Sequence, residues 1–178
     1  QLILSNHSGW LTMKSQSDIR WLIDVQNEIV DYWNSRREEG LAPSRRDINP
    51  GALRAHLSSI SILELDPSGG ATFRLVGTQL RQLIGADMRG KRIDELPDHF
   101  AEIWRTGRDA FSACADPRQG IADLGDRHHA WLRLPLRACA DDTAPALLLC
   151  HDIIRRKKPR EYRSIFSFHP TAGRAVAA

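Results

Sequence analysis

The sequence is poor in the features that mark catalytic, metal-binding or membrane-spanning chains. Its cysteines, Cys114, Cys139 and Cys150, are far apart and form no C-x-x-C pair, which argues against a zinc site and predicts reduced thiols in the cytoplasm. No apolar run approaches the roughly 18 residues that a membrane span requires. The P-loop, G-x-G-x-x-G and G-x-S-x-G motifs are also absent. We therefore expect a cytoplasmic chain with no membrane contact, no catalytic residues and no metal.

The charge of the chain is only slightly unbalanced. Its 25 Lys and Arg residues stand against 22 Asp and Glu residues, which gives a formal net charge of +3. A dedicated nucleic-acid-binding domain concentrates positive charge on one face. Here the arginines are spread along the chain, and the only dense basic run is 155–160. Nucleic acid is therefore not the expected partner, although a nucleic-acid-associated regulator using this run is kept as an alternative.

The length of 178 residues and a hydrophobic content of 42% predict one globular domain with an ordinary core, which needs no disulfide. Met13 followed by Lys14 resembles a natural start, so the residues before it are interpreted as an extension, either added or disordered. The predicted organisation is an extension over 1–16, an amphipathic helix over 17–40, a folded core over 41–156 and a basic, Ala-rich tail over 157–178.

The segment 17–39 has the periodicity of an amphipathic helix, with Ser17 as its cap and Gly40 as its stop. Apolar residues recur three and four positions apart and form one stripe. This stripe packs either on the helix's own domain or against a second copy of the chain. We favour a homodimer, because a single stripe that includes two tryptophans has much apolar surface to bury. The predicted seam consists of Trp21, Leu22, Val25, Ile29 and Trp33.

The rest of the chain reads as an α+β domain. Two apolar runs around a Pro/Gly turn predict an antiparallel hairpin, and three further runs predict strands near the C-terminal end. Between the hairpin and these three strands, 78–84 and the segment after Pro97 predict helices. Before the hairpin, 50–56 predicts a short helix. The predicted strands are 59–65, 71–76, 119–124, 129–137 and 146–154, with Pro135 at an edge or bulge. They form a five-stranded antiparallel sheet with helices on one face and the N-terminal helix on the other.

Several sequence segments carry a family resemblance. Residues 73–78 (FRLVGT) are followed by Leu80 and by 90–96 (GKRIDEL), in the order in which PAS strands pass into their middle helices. With 46–50 (RDINP) and 134–136 (LPL), the chain is similar to single-domain alphaproteobacterial PAS proteins over roughly 17–156. The resemblance implies a regulatory, non-catalytic module of signal transduction that senses a small ligand or binds a signalling protein, and that often dimerises.

The resemblance also bears on cofactors. PAS domains that bind flavin covalently use an Asn-Cys pair in the middle helices, and the corresponding segment 87–90 contains no cysteine. Haem-binding members need a proximal histidine, and His99 beside Asp98 is the only histidine nearby. We therefore expect no cofactor.

The residues around the expected interior pocket are candidates for ligand binding, with plain core packing as the alternative. Those with aromatic or apolar side chains are Phe73, Leu75, Leu83, Ile103, Trp104 and Trp131. Those able to orient an acidic or heterocyclic ligand are Arg74, Thr78, Arg92 and Arg133.

Two histidine-containing pairs are the remaining candidates for chemistry. His128 and His129 are adjacent on a strand and point to opposite faces, so we interpret them as turn polarity and not as a metal site. We interpret His151 and Asp152 as strand-end polarity. A small-molecule enzyme remains an alternative, which would require His128, His151 and Asp152 in one pocket.

Overall fold

The computed structural model describes residues 13–38, 40–66, 69–111, 116–142 and 144–157. The helices are α1 (Met13–Asn34), α2 (Thr78–Ile84) and α3 (Asp98–Phe111), and Leu57–Ser59 and Ile93–Glu95 are short 3-10 turns. The strands are β1 (Ile60–Leu65), β2 (Ala71–Val76), β3 (Arg118–Asp123), β4 (Arg127–Leu136) and β5 (Leu147–Arg156). No helix in the described ranges is long and apolar enough to cross a membrane.

The five strands form one antiparallel sheet in the order β2-β1-β5-β4-β3. The predicted α+β fold with a five-stranded antiparallel sheet is thus confirmed. β5 lies at the centre of the sheet, which explains its nearly continuous apolar sequence, since its residues from Leu148 to Asp152 are buried on both faces. α2 matches its predicted bounds and ends at Gly85, which takes a left-handed φ of 78° that favours glycine.

The sheet has a hydrophobic core on each face. One core packs the sheet against α2, α3 and the segment between them, and its largest members are Phe73, Leu80, Ile93 and Trp104. The other core packs the sheet against α1 and the connector after it, and it includes Ile29, Trp33, Leu53, Leu132 and Leu134. Alternate residues of β4 and β5 face these two cores.

The N-terminal helix differs from its prediction in position. α1 begins at Met13 and ends at Asn34, so residues 13–16, which were predicted as part of an extension, are helical. Residues 1–12, and the tail from 158 onward, lie outside the described residues. The short helix predicted over 50–56 consists of turns with i→i+3 hydrogen bonds that lead into Leu57–Ser59.

The dimer seam predicted along α1 is wrong for three of its five residues. Leu22, Ile29 and Trp33 are each 1% exposed within the single chain, so they are not available to a second copy. The Trp33 indole Nε1 donates a hydrogen bond to the Pro135 carbonyl oxygen at 2.9 Å. That carbonyl is free because β3 pairs with β4 only as far as Arg133, so Pro135 lies where β4 has a single strand neighbour.

Trp33→Ala is expected to lower the free energy of unfolding by about 3–5 kcal/mol, because it removes a buried indole and its hydrogen bond. Trp21→Ala, on the same helix, should cost about 1 kcal/mol or less, since Trp21 is 45% exposed. Urea denaturation of both variants measures this difference. A Trp33→Ala protein that keeps its stability and changes from dimer to monomer would restore the predicted seam.

Candidate functional site

Three of the predicted pocket residues fill the core between the sheet and α3. Phe73 and Trp104 pack edge to face with ring centroids 5.0 Å apart, and both are fully buried. The Trp104 indole donates a hydrogen bond to the Ser61 hydroxyl at 2.9 Å. Ile103 is 4% exposed in the same cluster. These side chains occupy the interior as packed core, which was the alternative interpretation.

Four other predicted pocket residues lie on the surface. Arg74 forms an ion pair with Glu64, and Arg92 lies 3.0 Å from Asp66. Thr78 is exposed at the start of α2. Leu75 is 37% exposed because a register shift between β1 and β2 places Arg74 as an extra residue, which turns Leu75 away from the face that Phe73 covers.

Arg133 belongs to a buried cluster of charged groups. Its Nη2 atom donates hydrogen bonds to Asp152 Oδ1 at 2.9 Å and to the Ile103 carbonyl of α3 at 2.5 Å. His129 Nε2 lies 2.8 Å from the same Asp152 oxygen. Burial alone would raise the pKa of Asp152, but the Arg133 charge and the hydrogen bonds from His129 and Arg133 outweigh it and lower that pKa below its ordinary value. The cluster therefore holds a carboxylate that ties β4 and β5 to α3.

Trp131 packs beside this cluster and not around a cavity. Its indole covers Gly120 of β3, where a Cβ atom would approach the ring to 2.6 Å. The Arg133 guanidinium lies 5.8 Å from the centre of the Trp131 ring. Glycine at position 120 is therefore what allows the indole to lie flat against β3.

The two histidine-containing pairs do not have the predicted environments. His129 is buried inside β4, so turn polarity does not describe it. His151 and Asp152 are buried in the middle of β5, so strand-end polarity is wrong for both. They face opposite sides of the sheet: Asp152 faces α3, whereas the His151 ring lies edge to face with His56 at 5.7 Å.

A cleft opens where β5 continues past the start of β1. β1 begins at Ile60, opposite His151, and the chain before it turns away as the Leu57–Ser59 turn. Beyond His151, β5 therefore has no strand neighbour on this side within the described residues. The resulting cleft has a volume of about 420 Å³. Its walls include Trp21 and Val25 of α1, His56 and Ser59 of the connector, and Gln79 and Leu83 of α2, with 151–155 as its floor.

His151 is the most unusual side chain of this cleft. It is 1% exposed, and its Nδ1 atom has no hydrogen-bond partner among the described residues. Burial, helped by the neighbouring His56 and Arg133, lowers its pKa to about 4, so the imidazole is neutral at pH 7. A buried polar atom without a partner costs stability, and such atoms usually meet a ligand or an ordered water.

The other polar groups of the cleft are held in place. The Ser59 hydroxyl donates a hydrogen bond to Gln79 Oε1 at 2.6 Å. At the mouth, the Arg155 guanidinium lies over the Trp21 ring at 4.2 Å. Of the predicted pocket and seam residues, Leu83, Trp21 and Val25 thus meet in this cleft, next to His56 and His151. Sequence reasoning missed the cleft because it depends on where β1 begins opposite β5.

A second residue that sequence reasoning missed is Arg137, which is 1% exposed at the end of β4. Its guanidinium donates to the Ala42 carbonyl at 2.6 Å and to the Glu38 carboxylate at 3.0 Å, as well as to the carbonyls of Ala140 and Asp142. These contacts pin the connector after α1 to the sheet, so the role of Arg137 is structural.

Comparison with known proteins matches part of the chain to one family. Residues 24–110 match the model of a PAS domain family. Among solved structures, the chain is similar to the PAS domain of the histidine kinase ThkA, with 22% identity and a TM-score of 0.39 over 52% of this chain and 98% of that one. No curated protein in the comparison matches the chain. The family match falls on the second half of α1, the hairpin and the middle helices of this five-stranded fold, and over these residues the chain is similar to a PAS domain.

Proposed function

We propose that this chain is a non-catalytic regulatory PAS module that binds a small ligand in the cleft at the free edge of β5 and acts on a partner protein. The observation that carries the proposal is His151, a buried, neutral imidazole in the cleft whose Nδ1 atom lacks a partner among the described residues. A ligand that hydrogen-bonds to this nitrogen removes the cost of leaving it unsatisfied.

The cleft suits a ligand better than the interior does. Its volume of about 420 Å³ falls within the range of roughly 300–1,000 Å³ that is usual for small-molecule sites. The interior between the sheet and α3 is filled by Phe73 and Trp104, and its charges are engaged with one another. Catalysis is not proposed, because His151 and Asp152 face opposite sides of the sheet and His128 does not line the cleft.

Helix α1 offers a route from the cleft to a partner. Trp21 and Val25 line the cleft, while Leu22 on the same helix is buried. A ligand that contacts Trp21 and Arg155 changes the outer surface of α1, where we propose that a signalling partner binds. The homodimer expected from the sequence stays a prediction, and its seam would use this outer surface and the exposed Trp21.

The basic run offers less support to the nucleic-acid alternative. Arg155 stacks on Trp21, and Lys157 lies 2.6 Å from the Asp123 carboxylate. Basic side chains that are already engaged in this way release fewer counterions from a nucleic-acid phosphate backbone when they bind it. Residues 158–160 lie outside the described residues.

Native mass spectrometry tests the proposal. The full chain is incubated with the small-molecule extract of its expression host and then measured together with Leu83→Trp, in which an indole fills the cleft. The matched control is Leu75→Trp, which adds the same indole to the exposed surface of β2. We expect a bound mass on the wild type and on Leu75→Trp, but not on Leu83→Trp. A bound mass on all three proteins, or on none, would contradict a ligand site in the cleft.

A further inference from the structure

We infer that the cleft takes a small aromatic carboxylate that carries a second hydrogen-bonding group at its far end. This inference rests on the proposed function, since it names the ligand class of the same cleft. Three features of the cleft support it: a cation at its mouth that pairs with no carboxylate of the described residues, the neutral histidine at its base, and the ring surfaces between them.

The cation at the mouth is Arg155. It forms an ion pair with no carboxylate in the described ranges, and its stacking on Trp21 at 4.2 Å holds it in place. Two carboxylates of this region are engaged elsewhere: Asp152 pairs with Arg133 inside the core, and Glu28 lies 3.7 Å from His56 Nε2. Asp152 is the carboxylate that lines the cleft, and Arg133 engages it, so the guanidinium at the rim matches a ligand carboxylate, which it can bind with two parallel hydrogen bonds.

The base of the cleft calls for a neutral polar group. His151, Ile153 and Arg155 follow one another on the same face of β5, because side chains alternate along a strand. The four steps from His151 to Arg155 separate their Cα atoms by about 13 Å at ~3.3 Å per residue. A neutral imidazole offers one donor and one acceptor. A hydroxyl group, which can both donate and accept, therefore complements His151 in either tautomer.

The walls between these two ends are rings and aliphatic side chains. Trp21 and His56 contribute ring surfaces, and Val25, Leu83 and Ile153 contribute aliphatic ones. A planar aromatic body packs on such surfaces through face and edge contacts without having to order a flexible chain.

Calorimetric titration of the full chain with three related probes tests the ligand class. The probes are 3-(4-hydroxyphenyl)propionate, its primary amide, which lacks the charge, and 3-phenylpropionate, which lacks the hydroxyl. We expect the hydroxy acid to bind roughly tenfold more tightly than either analogue, because each analogue loses the favourable interaction at one end of the cleft. Arg155→Gln should abolish the preference for acid over amide, and His151→Phe the preference for the hydroxyl. Arg156→Gln, the matched control on the opposite face of β5, should leave both preferences intact.

The outcomes separate this inference from the proposed function. Equal binding of acid and amide that is lost in Leu83→Trp would overturn the carboxylate class and leave the cleft as the ligand site. Binding that Leu83→Trp does not weaken would overturn the proposed site itself. Failure of all three probes to bind the wild type at millimolar concentration would overturn the inferred ligand class.

Discussion

Arg133→Met is expected to lower the free energy of unfolding by about 3–5 kcal/mol, because it leaves the Asp152 carboxylate buried without its cation. The matched control is Arg74→Met, which breaks the exposed ion pair with Glu64 and should cost about 1 kcal/mol or less. Urea denaturation at pH 7 measures both values. The contrast matters because the sequence alone presents Arg74 and Arg133 as equivalent candidates for orienting a ligand.

A double variant shows that the loss comes from the unpaired charge. Arg133 Nε and Asp152 Oδ2 have no partner within the described residues, so the buried pair is only partly satisfied. Replacing both residues, as in Arg133→Met with Asp152→Leu, should recover most of the lost stability, since an apolar pair of similar volume is often neutral. An Arg133→Met protein with unchanged stability and weakened ligand binding would instead place Arg133 in the ligand site.

Acid is expected to destabilise the fold between about pH 6.5 and pH 4 through His151. Burial lowers the folded-state pKa of His151 to about 4, against 6.5 for the unfolded residue. In this window the unfolded state binds a proton that the folded state does not, so stability falls as the pH falls. The loss is on the order of 3 kcal/mol, because each pKa unit corresponds to about 1.4 kcal/mol. The groups that act on the pKa of His151 are His56 in the cleft, and Asp152 and Arg133 on the opposite face of the sheet.

Urea denaturation between about pH 7.5 and about pH 4 tests this expectation. The slope of the free energy of unfolding against pH is compared with the slope that linkage predicts. His151→Phe keeps an aromatic ring at the site and should flatten the slope, while His128→Phe, on a half-buried histidine of β4, should keep it. The contribution of Asp152 to stability is lost only at lower pH, because the pKa of Asp152 in the folded state lies below the ordinary aspartate value. An unchanged slope in His151→Phe would contradict a buried neutral imidazole.

Local patterns in the sequence predicted most of the fold. β2 and α2 have their predicted bounds, because each has a clear period and a glycine beside it that allows a turn. Pro135 indicated a position where β4 lacks a neighbour, and the pairing of β4 with β3 does end at Arg133. The order of strands and helices followed from these elements, so the α+β fold could be predicted without knowledge of any long-range contact.

The site could not be predicted in the same way, because its features come from register between distant strands. In the sequence of β4, His129 and Arg133 look like residues of an exposed strand face. Their burial becomes evident only when Asp152 of β5 is aligned with them. Leu75 left the predicted pocket because one extra residue in β2 shifts the register. The cleft itself exists because β1 starts at Ile60, and no local pattern fixes that start relative to His151.

The most direct test of a ligand site at the free edge of β5 is an amide-resolved NMR titration of the full chain with a library of soluble fragments. If the cleft is the site, the fragments that bind will shift the amide signals of His56, Ser59, Gln79 and residues 151–155. Shifts that centre instead on Phe73, Ile103 and Trp104, with the cleft signals unchanged, would place the ligand in the interior and contradict the account.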